Sequence, residues 1–184
     1  MKGTVLILIA ALLVFEVTSE EEDLGKSKYI PKRGGIQEAF VKWHNVYRKE
    51  HRTPSLQYHS RLSAMAKNWA EHIASTHAIR HRPPSREMSF GENLYSHTHA
   101  PADVKINPKK VVTMWYDEIK HYSYAHPYYQ SDTSHFTQVV WKDTQYVGCG
   151  WAHNPEWELL VVVCNYWKQG NIPSEFGKNV LPKK

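Results

Sequence analysis

Apolar residues recur along this chain with two different periods, and those periods place its elements. Ile36, Phe40, Trp43 and Tyr47 repeat at helical spacing, and beyond a turn around Pro54-Ser55 comes a second helical stripe of Leu62, Met65, Trp69 and Ile73. Asn107-Pro108 supplies a cap and a first-turn proline for a third helix, with Val111, Trp115, Ile119 and Tyr122 turned inward. Met88 to Leu94, Tyr146 to Ala152 and Leu159 to Tyr166 read as strands, the last two joined through the turn signal Asn154-Pro155. Helices together with a small, mostly antiparallel sheet give an α+β fold. No internal repeat, glycosylation sequon or low-complexity tract interrupts the pattern.

The chain has 184 residues, one domain's worth and enough to bury a real core. Its first residues set the expected compartment. Lys2 precedes the apolar run Val5 to Phe15, too short to span a bilayer, and Val17-Thr18-Ser19 follows as a small-residue cleavage pattern. Residues 1–19 therefore read as a signal peptide, 20–34 as a charged, apolar-poor flexible leader, and 35–184 as the folded domain. The mature protein is expected to be secreted and extracellular, with at most peripheral membrane contact. Removing residues 1–19 takes away one cation, Lys2, and one anion, Glu16, so the formal charge of +5 is retained. The charges are scattered along the sequence, which reads as a solvated surface and not as a nucleic-acid footprint.

Cys149 and Cys164 are the only two cysteines, and they lie in the two runs that form the expected hairpin. An oxidising compartment would close them into a disulfide, with a loop of about 15 residues worth roughly 3 kcal/mol.

Three polar residues stand out against apolar surroundings. Glu118 falls seven residues after Val111 and three after Trp115, on or beside the buried stripe; Glu92 sits among Phe90, Leu94 and Tyr95; His135 interrupts an aromatic and aliphatic run. A buried carboxylate needs hydrogen-bond donors or a cation nearby. The segments Gly91-Glu92-Asn93-Leu94, Ser134-His135-Phe136-Thr137 and Val163-Cys164-Asn165-Tyr166, in this order, resemble the CAP superfamily of cysteine-rich secretory proteins, insect antigen 5 proteins and plant pathogenesis-related proteins. Ser134 stands where that family usually has Gly or a charged residue, and Lys168 where it often has Pro. The tail Phe176 to Pro182 and the scarcity of cysteines resemble the Golgi-associated subgroup, here with a signal peptide in place of an acylation signal.

The resemblance implies a three-layer α-β-α sandwich and a cleft where two histidines and two glutamates converge, carried over as His81, Glu92, Glu118 and His135. It implies that His81 and His135 hold zinc or another borderline divalent ion while Glu92 and Glu118 orient the rings. Two other uses of the set stay open: a metal- or serine-dependent hydrolase with Ser134 or a bound water attacking, and a purely structural buried network in an extracellular interaction or immune-effector protein. The run Tyr122-Ser123-Tyr124-Ala125-His126-Pro127-Tyr128-Tyr129 is too aromatic for an ordinary connection. Tyr122, Tyr124 and Tyr129 resemble the loop that sterol-binding CAP proteins use, which implies a sterol or fatty acid as ligand. Local packing of the tyrosines as a lid is the alternative.

Overall fold

The computed structural model describes residues 35–84 and 89–184. The expected signal peptide (1–19), the leader (20–34) and the first residue of the strand expected from Met88 lie outside the described residues. Helix α1 (Ile36–Glu50) leads through the two-residue strand β1 (Gln57–Tyr58) into α2 (Ser60–Thr76). Strand β2 (Gly91–His97) precedes α3 (Pro108–Tyr116), which tightens into a 3-10 turn over Asp117–His121. After a second 3-10 turn (Ser131–Thr133) come α4 (Ser134–Val140), the hairpin strands β3 (Tyr146–Asn154) and β4 (Leu159–Trp167), and α5 (Phe176–Asn179). The expected cap of α3 is present: the Asn107 side chain accepts from the Lys110 N–H, and Pro108 opens the helix.

The sheet order is β1-β3-β4-β2, antiparallel except where β1 runs parallel to β3. Register sorts the side chains by period two. Val147, Cys149, Val162, Cys164 and Tyr166 join a core with Phe40, Val111, Trp115 and Phe136 from the helices on one face. Leu159, Val161 and Val163 meet Ala66, Trp69, Ala70 and Ile73 of α2 on the other. Helices thus cover both faces of a mostly antiparallel sheet, an α+β sandwich. Cys149 and Cys164 are direct cross-strand partners and are joined as a disulfide. Two glycines let α2 press onto β3: a Cβ on Gly148 would run into the backbone of Ser63 and Leu62, and one on Gly150 into that of Lys67.

Helix α1 departs from the expected stripe. Ile36 is 38% exposed, Trp43 and Tyr47 are only partly buried, and the fully buried row is Phe40, His44 and Arg48. Two of those three are polar, and each is satisfied inside the core. His44 bonds the Phe40 carbonyl through Nδ1 (2.8 Å) and the Tyr166 hydroxyl through Nε2 (2.8 Å). Arg48 meets no carboxylate; its guanidinium donates to the carbonyls of Pro54 (2.7 Å), Val139 (3.1 Å), Trp141 (2.7 Å) and Thr144 (3.0 Å).

Removing that guanidinium takes a donor from the carbonyls of Pro54, Val139, Trp141 and Thr144, of which Trp141 keeps the Thr144 N–H (3.2 Å). Arg48→Met, which keeps the stem, is expected to lower stability by about 3 kcal/mol or more, and Arg48→Lys by nearly as much, because one ammonium cannot span carbonyls from two segments. Urea unfolding would show it; a loss within about 0.5 kcal/mol for Arg48→Met would contradict this account.

Burial, with Arg48 adding to it, pushes the His44 imidazole down to about 4, while its bond to Phe40 opposes. Burial also lowers His51. The unfolded chain then takes up protons near the usual pH of about 6.5 that the native state refuses. Stability from His44 is therefore complete above pH 6.5 and is lost as pH falls from there towards about 4, by about 3 kcal/mol. Replacing His44 with Gln should flatten the dependence in urea melts between these limits.

Candidate functional site

Two His–Glu pairs form, built from different elements. Glu92 lies near the start of β2, its side chain only 7% exposed, and its Oε1 accepts from the His81 ring at Nδ1 (2.8 Å) and from the Arg82 backbone N–H (3.1 Å). The segment carrying His81 is anchored to α2: the Arg82 guanidinium lies 5.2 Å over the Trp69 ring and donates to the Met65 carbonyl (2.7 Å). Hydrogen bonding to Glu92 raises the basicity of His81, against the opposing effect of its burial. His81 and Glu92 line a cavity of about 400 Å³ with Pro83, Phe90 and Gln169. The other Glu92 oxygen, Oε2, is buried and has no hydrogen-bond partner.

In the second pair both carboxylate oxygens are satisfied. Helix α3 ends at Tyr116, so Glu118 sits in the 3-10 turn and not on the helix expected to carry it. Its Oε1 holds the His135 ring at Nδ1 (2.6 Å), and its Oε2 accepts from the backbone N–H groups of His135 (3.0 Å) and Phe136 (3.2 Å). That carboxylate satisfies two N–H groups at the start of α4. His135 therefore lies in the first turn of α4. Its ring stacks on Trp115 with centroids 6.3 Å apart, and Trp115 Nε1 donates to the Leu94 carbonyl (3.1 Å).

Strand β2 connects the pairs: Glu92 reaches His81, and the next residue, Asn93, donates from its side chain to the His135 carbonyl (3.1 Å). Among the described residues no hydrogen bond or ion pair runs directly between the pairs. Asn93 and Trp115 were not singled out by sequence reasoning, although Asn93 stands inside the Gly-Glu-Asn-Leu segment, where a buried amide beside a buried carboxylate was available as a signal.

In both pairs Nδ1 is turned to a glutamate, and neither Nε2 makes a hydrogen bond among the described residues. This is how a carboxylate fixes a metal-binding imidazole. Among the described residues, however, no three His, Cys, Asp or Glu side chains converge to hold an ion. The donor set fits an ion bound by imidazole nitrogen and completed by water. The Ser134 hydroxyl donates to the Ser131 carbonyl (3.0 Å) and, among the described residues, makes no hydrogen bond to the His135 ring.

The three loop tyrosines divide. Tyr122 is a core residue, packed edge-on against Phe136 (5.5 Å) and Tyr124 (5.0 Å), and burial pushes its phenol up to about 12. Tyr124 and Tyr129 are 37% and 52% exposed, and Tyr128 between them is 53% exposed. Tyr129 leans on Phe176 of α5 (6.5 Å).

Helices on both faces of this sheet, two His–Glu pairs beside β2 and a hairpin disulfide define the class of α+β domain to which the chain belongs. The chain belongs to the CAP family, the cysteine-rich secretory protein family, whose model matches residues 41–166. It is 38% identical over 146 residues to the human Golgi-associated plant pathogenesis-related protein 1, covering 78% of this chain and 91% of that protein. It is 33% identical over 141 residues to secreted protein PRY1 of Candida albicans, covering 76% of this chain but only 30% of that longer protein. The crystal structure of NaASP2 with Zn2+ shares the fold, with a TM-score of 0.60 at 20% identity over 85% of this chain and 91% of that one.

The two glutamates should respond differently to replacement. Glu118→Ala strips a cap from α4 and a partner from His135, and is expected to cost about 2 kcal/mol in thermal or urea unfolding. Glu92→Gln keeps the acceptor for His81 and Arg82 and removes a buried charge, so it should change stability by less than about 1 kcal/mol. Equal, large losses in both would mean that Glu92 is as structural as Glu118.

Proposed function

We propose that this chain is a secreted, non-enzymatic binding module that takes up a sterol or fatty acid at its aromatic loop and holds a divalent ion at His81 and His135. The exposed trio Tyr124, Tyr128 and Tyr129, held on the core through Tyr122 and Phe176, carries the lipid reading. Amphipathic rings of this kind offer an apolar body with a polar tip, suited to a ligand whose hydroxyl or carboxyl stays wet. The Nε2 atoms, which make no hydrogen bond among the described residues, and the unpartnered Glu92 Oε2 support the metal reading. When bound, the ion would add positive charge and a water-bearing face to the cleft. Glu92 and Glu118 would keep each ring's second nitrogen aimed outward. Secretion is supported by the N-terminal apolar run and by the secreted relative; the Golgi-associated relative points to an alternative address.

A second reading concerns one pair only. Glu118 uses both oxygens on α4, which favours a structural role for Glu118 and His135 whatever His81 does.

Purified protein titrated with cholesterol and with a long-chain fatty acid is expected to show saturable binding of at least one of them, and Tyr124→Ala should weaken it about tenfold. Calorimetry with zinc should give one site that His81→Ala abolishes. Absence of saturable uptake of either lipid would sink the lipid half, and zinc binding unchanged in His81→Ala would sink the metal half.

A further inference from the structure

Folding brings Lys184 beside three cations, Lys42, Lys49 and Arg52, that lie close together in the sequence. A groove of about 660 Å³ runs along the outer side of α1, lined by Lys42, Lys49, Arg52 and Lys184, with Val46 in its floor and Pro54 and Ser55 in its wall. Positions 42, 46 and 49 share one helix face, and each of these residues is exposed. Among the described residues, no acidic side chain lines this groove and none of its four cations is in an ion pair. Neighbouring Glu50 is already neutralised by Lys183 (2.9 Å) and receives the Tyr116 hydroxyl (3.1 Å).

The wall opposite the helix is built, not loose. Asn45 clamps it with both ends of its amide, donating to the Leu56 carbonyl (3.0 Å) and accepting from the Leu56 N–H (2.7 Å). Buried Arg48 holds the Pro54 carbonyl (2.7 Å) and Thr53 Oγ1 donates to the Arg48 carbonyl (3.0 Å). Arg52 has a left-handed backbone, φ 57°, which a side chain rarely adopts and a glycine would accept freely.

We propose that this groove binds a linear sulfated polysaccharide chain. Lys42 and Lys49 lie about 10 Å apart along the helix axis, a spacing that a polymer with an anion on each repeat can match. No aromatic ring lines it for bases to stack on, which disfavours single-stranded nucleic acid. The proposal is independent of lipid or metal at the cleft and takes from the secretion reading only where such a polymer is met.

Size-defined heparin oligosaccharides and their desulfated counterparts, titrated against the full protein at several salt concentrations, test it. Wild type should bind the sulfated chain and not the desulfated one. The triple variant Lys42→Gln, Lys49→Gln, Arg52→Gln should lose about tenfold or more in affinity near 0.1 M salt, with a salt dependence shallower by about three counterions. A charge-matched control, Lys67→Gln, Lys105→Gln, Lys168→Gln, should stay within about threefold of wild type. Arg52→Gly should weaken binding while leaving the thermal midpoint unchanged or raised. The proposal is overturned if the control loses as much as the groove variant, if desulfated chain binds equally well, or if phosphatidylserine vesicles are bound in preference to heparin.

Discussion

The guanidinium of Arg48 is the interaction on which the rest of the structure depends. It is a cation with no exposed surface and no counter-ion, kept in the core by backbone carbonyls from two separate segments. Burial lowers it to about 9, still charged at neutral pH. Two of its acceptors, Val139 and Trp141, belong to the end of α4, where unpaired carbonyls carry negative partial charge. The other end of α4 rests on the Glu118 carboxylate. A helix over Ser134–Val140 is too short to persist alone. Opposite charges at its two ends hold it, and with it the imidazole of His135.

This arrangement explains what could be read in the sequence. The sandwich was legible because α2, β3 and β4 follow plain rules: Leu62, Trp69 and Ile73 on one helical face, an unbroken buried strand over Leu159–Tyr166, and two cysteines placed by the hairpin register. Helix α1 was misread by the same rules. Counting apolar residues as inward chose Ile36, Trp43 and Tyr47, whereas the innermost row includes His44 and Arg48. Periodicity cannot tell a buried polar residue with partners from a solvated one, because those partners, Tyr166 and the carbonyls after α4, are distant in sequence.

The site was legible only through resemblance. His81 with Glu92 and Glu118 with His135 are the pairs that form, yet no short ligand spacing advertises either. Even so, the secondary structure beneath them was not legible: Glu118 lies past the helix end and His135 opens a helix. Phe136, Val139 and Val140 are buried whichever period is applied to so short a run, so the apolar pattern there assigned no element. The tyrosine loop likewise split into one core ring and a surface group, a division set by Phe136 and Phe176, which arrive from elsewhere in the chain.

The two carboxylates differ in a way that bears on function more than their shared partner type does. Every hydrogen bond that Glu118 makes is one the fold needs, so its presence is accounted for without a ligand. Glu92 is the more deeply placed, its side chain 7% exposed against 22%, but leaves Oε2 with no donor among the described residues, a cost that folding alone would select against. Its oriented partner, His81, is the more exposed of the two histidines, 63% against 26%, and lines a cavity. A buried oxygen without a partner beside an exposed, oriented imidazole is an arrangement that a bound cation or water would complete. Glu118, with both oxygens committed to α4 and His135, supplies the frame on which this end of β2 rests through Asn93, and Glu92 and His81 are the members of the set that the fold leaves less fully satisfied.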